Sequence, residues 1–213
     1  MKEDYIVVEH AVKKYKDTIA LKDVSLTFAQ NQIHGIIGRN GSGKTVLLKC
    51  ICGLTRLTSG RIILDGKVVG KDMEIPDNIG AIIETPGFIK SFSGYDNLKY
   101  LASVRKMIGK EEIVSAMEKA GLDPAMKKHV GKYSLGMRQR LGIAQAIMEK
   151  PDILILDEPT NGLDKKGVEE FRNLILAFKQ EGKTIILASH NAEDVRLLCD
   201  NVSELDGGRL IEV

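Results

Sequence analysis

The stretch "IHGIIGRNGSGKTVLLKCICGL", residues 33–54, restricts the possible folds of this chain more than any other segment. A short apolar run leads into Gly38-Arg39-Asn40-Gly41-Ser42-Gly43-Lys44-Thr45, and a helical pattern beginning at Val46 follows. The loop fits G-x-x-x-x-G-K-[ST] at every fixed position, in the strand-to-helix context that the pattern requires. Gly38, Gly41 and Gly43 let the backbone take positive φ and approach an anion with no Cβ in the way. The loop amides and the helix N-terminus then turn donors toward phosphate. Lys44 has the reach for the β- and γ-phosphates, and the Thr45 hydroxyl is a ligand type suited to Mg²⁺.

The remaining pattern extends this unit into an α/β fold. Residues 5–8 and 24–28 read as strands, and "RIILDGKVV" reads as a hairpin turning at Asp65-Gly66. Helical periodicity takes over from about 96 to 148, through Leu98, Leu101 and Ile108, then Ile113, Met117 and Ala120, then Leu141, Ala144 and Ile147. Strand and helix alternate again in "DILILDEP", a helix near 166–180 with Val168, Phe171, Leu174, Ile175 and Phe178 on one face, and "TIILASH". A short strand pair closes the chain. Apolar strands separated by helices predict a mostly parallel sheet covered on both faces. The expected division is one α/β lobe, 1–87 and 151–213, with a helical subdomain at 88–150.

Composition narrows the function classes. Hydrophobic content of 43% and charged content of 28% are those of an ordinary soluble globular chain. A net charge of +2 is too small to argue for nucleic acid or a strongly anionic surface. Apolar runs such as "ILIL" fall far short of the ~20 residues that span a bilayer, and "MKEDYIVVEH" lacks the apolar core of a signal peptide. Three cysteines, Cys50, Cys52 and Cys199, form no CxxC and predict reduced, structural thiols in a cytosolic chain.

Two further features carry chemistry. Asp157 and Glu158 end an apolar strand side by side, and strand alternation sends their carboxylates to different places. Asp157 suits a metal or its water. Glu158 suits polarising an attacking water, a role worth typically about 10²–10⁴ in rate. His190 lies just past the C-terminal end of another buried strand, the edge where open parallel sheets bind ligands. His10, His34 and His129 are read as incidental, and Lys127, Lys128, His129 and Lys132 as a solvated face.

In this order the motifs resemble those of the ATP-binding subunit of an ABC transporter, over almost the whole chain. The resemblance implies a P-loop NTPase fold with an N-terminal antiparallel β subdomain. It makes Gly38–Thr45 the Walker A loop, Ile153–Glu158 the Walker B strand with Glu158 catalytic, and Asn161-Gly162-Leu163-Asp164 the D-loop. His190 becomes the switch histidine, and Tyr15 falls where such chains stack an aromatic on adenine, worth ~1–3 kcal/mol. Ser134-Leu135-Gly136-Met137 lies where the family carries its Leu-Ser-Gly-Gly-Gln signature, which faces the Walker A loop of another subunit. There Ser134 can donate to the γ-phosphate and Gly136 lets the helix start come close.

The sequence departs from the pattern at three positions. Leu135 replaces a glycine, Met137 replaces the glutamine, and "IGAIIETPGF" puts Glu84 where the family has its Q-loop glutamine. A glutamate there resembles the branch that exports bacitracin and confers lantibiotic immunity, and Glu84 is expected to contact the metal, directly or through water.

The implied function is ATP hydrolysis with Mg²⁺, driving a dimer of this chain or of this chain with a related ATP-binding subunit. An integral-membrane transporter subunit is the expected second partner, docking near Glu84 and the segment 86–97, with export of a peptide or antibiotic. The chain would sit on the cytoplasmic face of the membrane with no nucleic-acid partner. The alternative is a non-transport ABC-type ATPase acting on nucleic acid or ribosomes, though tandem cassettes and coiled-coil insertions are missing. A small-molecule kinase or GTPase is a third reading, with no N/T-K-x-D element to support it.

Overall fold

The computed structural model describes residues 2–84 and 87–211. The chain opens with β1 (Ile6–Tyr15) and β2 (Thr18–Phe28), and β3 (Ile33–Ile37) then feeds α1 (Lys44–Ile51) through the glycine-rich loop. Strands β4 (Ser59–Leu64), β5 (Lys67–Val68) and β6 (Ile79–Ile82) precede three helices, α2 (Gly94–Arg105), α3 (Lys110–Lys119) and α4 (Leu135–Ile147). The last third runs β7 (Ile153–Asp157), α5 (Lys165–Gln180), β8 (Thr184–Ala188), α6 (Ala192–Leu198), β9 (Asn201–Asp206) and β10 (Arg209–Ile211).

Two sheets result. An antiparallel sheet has the order β2-β1-β4-β5, and a six-stranded sheet has the order β10-β9-β3-β8-β7-β6. In the larger sheet β9, β3, β8, β7 and β6 run parallel and only β10 is antiparallel. Strands β7 and β8 are buried at every residue, which is why they read as unbroken apolar runs rather than alternating ones.

Their side chains still alternate between faces. Ile153, Ile155, Ile186 and Ala188 join Leu47, Leu48 and Ile51 of α1 and Val8, Leu21 and Phe28 of the antiparallel sheet. Leu154, Leu156, Ile185 and Leu187 join Leu141, Ala144 and Ile147 of α4, Met117 of α3, Leu98 of α2, and Phe171 and Ile175 of α5. The three inserted helices therefore bury their apolar faces in the same cluster as the sheet. Gly80 of β6 makes the closest approach possible, since a Cβ there would collide with the Ala146 carbonyl oxygen.

The structure departs from the sequence reading in two elements. The strands expected at 5–8 and 24–28 are parts of a long hairpin, because "KKYKDT" looks like a polar loop but pairs Tyr15 with Thr18. Register shifts along β1 accompany positive φ at His10 (48°). The helical stretch 96–148 is broken into three helices, with a 3₁₀ turn at Val130–Lys132 before α4.

Candidate functional site

The phosphate loop is built as its glycines require. Gly38, Gly41 and Gly43 have φ of 146°, 80° and 110°. A Cβ on Gly38 would overlap the Leu205 carbonyl oxygen, and one on Gly43 would lie 2.7 Å from the Ala20 carbonyl oxygen. The Ser42 amide donates to the Arg39 carbonyl (3.1 Å), and the Gly208 amide donates to the Ser42 carbonyl (3.0 Å). The buried Lys44 ammonium donates to the carbonyls of Gly38 (2.6 Å) and Arg39 (3.2 Å). Helix α1 has no side-chain cap, and the Ser42 hydroxyl is buried with no hydrogen-bond partner. Uncapped amides, an unpartnered hydroxyl and an ammonium at one helix start fit a phosphate.

The loop forms the floor of a cleft of about 610 Å³. Across it stand Asp157 and Glu158, Glu84, Asn161, and Leu135 and Gln139 of α4. Thr45 Oγ1 donates to Asp157 Oδ2 at 2.6 Å. Burial raises the Asp157 carboxyl above its ordinary value, helped by the Glu158 charge, while the Thr45 hydroxyl, Lys44 and the Glu84 amide pull the other way. Glu158 has φ of 49°, and its amide donates to the Ala188 carbonyl (2.9 Å), so the turn swings this side chain away from the strand. His190 Nδ1 lies 2.7 Å from Glu158 Oε2, and the His190 amide donates to the same oxygen at 3.4 Å. Glu158 Oε1 is buried without a partner.

Thr45 and Asp157 are oxygen donors of the kind that fit Mg²⁺, which commonly takes one or two protein ligands and completes its shell with phosphate and water. No cluster of three or more His, Cys, Asp or Glu able to hold a metal by itself occurs among the described residues.

The other predicted residues are divided between the cleft wall and its surroundings. Tyr15 is outside the cleft walls, with Lys13 Nζ 4.7 Å from its ring centroid, and Thr18, Ile19 and Ala20 form that wall instead. Glu84 lines the cleft with φ of 58°, but its carboxylate pairs with Lys49 Nζ at 2.7 Å. Ser134 caps α4, accepting from the Met137 amide at 3.2 Å. Leu135 packs against Gly162, and a Cβ on Gly136 would lie 2.8 Å from the Gly162 carbonyl oxygen, so the start of α4 rests on the 161–163 turn of its own chain. Met137 and Leu163 pack partly buried against the core, and Asp164 caps α5 through the Gly167 amide (2.9 Å).

Sequence reasoning missed Ile19, Lys22, Gln139, Gly207 and Gly208, all in the cleft wall. Gln139 donates to the Pro159 carbonyl at 2.9 Å. The Gly207-Gly208 pair was legible as a hairpin turn, but nothing local marks it as a neighbour of Ser42.

Comparison with known proteins agrees with this geometry. A family model described as ABC transporter matches residues 21–161, more than half of the chain. An uncharacterised ABC transporter ATP-binding protein, YybJ, of Bacillus subtilis (strain 168) is 43% identical over 205 residues, covering 96% of this chain and 94% of its own. The bacitracin transport ATP-binding protein BcrA of Enterococcus faecalis is 38% identical over 212 residues, covering 98% of this chain and 69% of its own. Among solved structures, the dimeric bacterial ABC transporter cassette MJ0796 matches with a TM-score of 0.88 at 24% identity, covering 97% of each chain, and shows the fold. The phosphate loop and the acid pair at the strand end thus stand in a chain that belongs to the ABC transporter family, among its ATP-binding proteins.

Proposed function

We propose that this chain binds and hydrolyses ATP as the ATP-binding subunit of a transporter, and that closure of two copies around nucleotide drives a separate membrane subunit. The observation that carries the reading is the meeting of Thr45–Asp157 and Glu158–His190 beside one phosphate loop. Lys44 exchanges its loop carbonyls for phosphate oxygens when nucleotide enters. Thr45 and Asp157 would hold Mg²⁺, and the ion would supply positive charge to offset the charge developing on the phosphoryl oxygens. Glu158, oriented through Oε2 by His190 Nδ1, takes the proton of the attacking water.

The start of α4 supports a role toward a second copy. Leu135 is 54% exposed, and the Ser134 hydroxyl accepts from the Met137 amide, which leaves its own proton free to donate to a phosphate on the opposing chain. The dimeric relative supports the same assembly. No helix among the described residues is long and apolar enough to cross a membrane. A cavity of about 880 Å³ lined by Phe92, Tyr95, Tyr100 and Met126 supports docking of an amphipathic helix there. Pro86, at the edge of the expected docking segment, lies outside the described residues. The name of the bacitracin transport relative supports transport of a peptide or antibiotic, and export driven from the cytoplasmic face is our reading of it.

Glu158→Gln tests both halves. Turnover is expected to fall by at least about 10², and size-exclusion chromatography with MgATP to show a trapped dimer. Unchanged turnover, or a persistent monomer, contradicts the reading.

A further inference from the structure

Glu158 and His190 sit on separate turns, one after β7 and one after β8, and a buried carboxylate behind them joins the two. Asp194 in α6 is 1% exposed. Its Oδ2 accepts from the Thr160 hydroxyl at 2.9 Å, and its Oδ1 accepts from Arg172 Nε at 2.7 Å, with Arg172 Nη2 at 2.6 Å. Thr160 follows Glu158 by two residues, Asp194 follows His190 by four, and Arg172 comes from α5. Asn191, directly after His190, caps α6 by accepting from the Glu193 amide (2.9 Å) and the Asp194 amide (3.4 Å). None of Thr160, Arg172 and Asp194 lines the cleft.

Charge-assisted hydrogen bonds in a water-poor site are short and directional. A buried ion pair adds little net stability over an apolar replacement, because desolvation offsets the attraction. What such a pair can contribute here is position: behind the Glu158 amide's bond to the Ala188 carbonyl, the Thr160–Asp194 bond ties the Glu158 turn to the His190 turn through side chains.

We propose that Thr160, Asp194 and Arg172 are positioning residues that set the Glu158–His190 contact, and so the rate of ATP hydrolysis, without touching nucleotide. The inference rests on the proposed roles of Glu158 and His190.

Thr160→Val removes the hydroxyl and keeps the branched shape. In the intact protein with MgATP we expect kcat to fall about tenfold, with KM and nucleotide Kd within about twofold. Thr160→Ser, which restores the hydroxyl, recovers the rate. Arg172→Lys, which keeps charge but loses the planar fork, falls in the same way. In a His190→Ala background, Thr160→Val is expected to change the residual single-turnover rate by less than about twofold, because the contact it positions is already gone. An unchanged kcat in Thr160→Val, or an equal tenfold loss in the His190→Ala background, overturns the proposal. Full turnover in both Glu158→Gln and His190→Ala instead overturns the assignment of the reacting pair, and this inference with it.

Discussion

A methyl group at residue 38 has nowhere to go. The backbone there holds φ of 146°, and a Cβ would meet the Leu205 carbonyl and the Ser42 hydroxyl. Gly41 has φ of 80° with nothing within 4 Å of its Cβ position, so its only constraint is conformational. Gly41→Ala should therefore cost about 1–2 kcal/mol, and Gly38→Ala distinctly more with loss of ATP affinity, as read by urea denaturation and nucleotide titration. Equal costs would show that the clash is not felt. Glu84 gives a second test at this scale. Its pair with Lys49 joins a side chain 61% exposed to one 27% exposed, so breaking it should change stability by no more than about 1 kcal/mol. A shift in the half-maximal Mg²⁺ concentration in Glu84→Gln and Glu84→Ala is then a functional effect. The same Mg²⁺ dependence in all three proteins removes Glu84 from the metal's surroundings.

Helix α4 does two jobs with two ends. Its middle carries Leu141, fully buried among α2, α3 and the sheet, and Leu141→Ala is expected to cost about 2–5 kcal/mol. Its start carries Ser134, whose replacement by alanine removes a cap worth about 0.5–2 kcal/mol. Ser134→Ala should also lower ATP turnover at protein concentrations where the dimer forms, whereas Leu141→Ala should leave the turnover of the folded fraction intact. Proportional losses of stability and turnover in both variants would reduce Ser134 to a cap. The helical periodicity of this region was readable, since Leu141, Ala144 and Ile147 recur on one face. The fit of α4 against β6 was not, because it depends on Gly80 meeting Ala146 from a distant part of the chain.

The stability of the whole molecule should respond to pH through His34 on the central strand β3. The ring is buried, Nε2 lies 2.9 Å from the Ala29 carbonyl oxygen, and burial holds the imidazole below its ordinary value of 6.5. The folded state favours the neutral ring, so the unfolded chain binds the extra proton. The contribution is complete above pH 6.5 and is lost as pH falls below it toward the folded value. Denaturation midpoints should decline from pH 7 to pH 5, and His34→Gln should flatten that slope. An unaltered slope in the variant assigns the pH response elsewhere.

The linear sequence by itself determined the phosphate loop, the acid pair and His190, because each depends on a few adjacent residues at the end of an apolar strand. It also determined that the sheet is mostly parallel, since runs such as "ILIL" need cover on both faces. Only the tertiary structure decided what surrounds those groups. It put Leu205 and Gly208 against the phosphate loop, set Ile19 in the cleft wall, paired Glu84 with Lys49, and tied Thr160 to Asp194. Those contacts follow from strand order, with β9 beside β3 and β8 beside β7. Strand order is set by which faces pack across the whole chain, and local residue pattern carries no record of it.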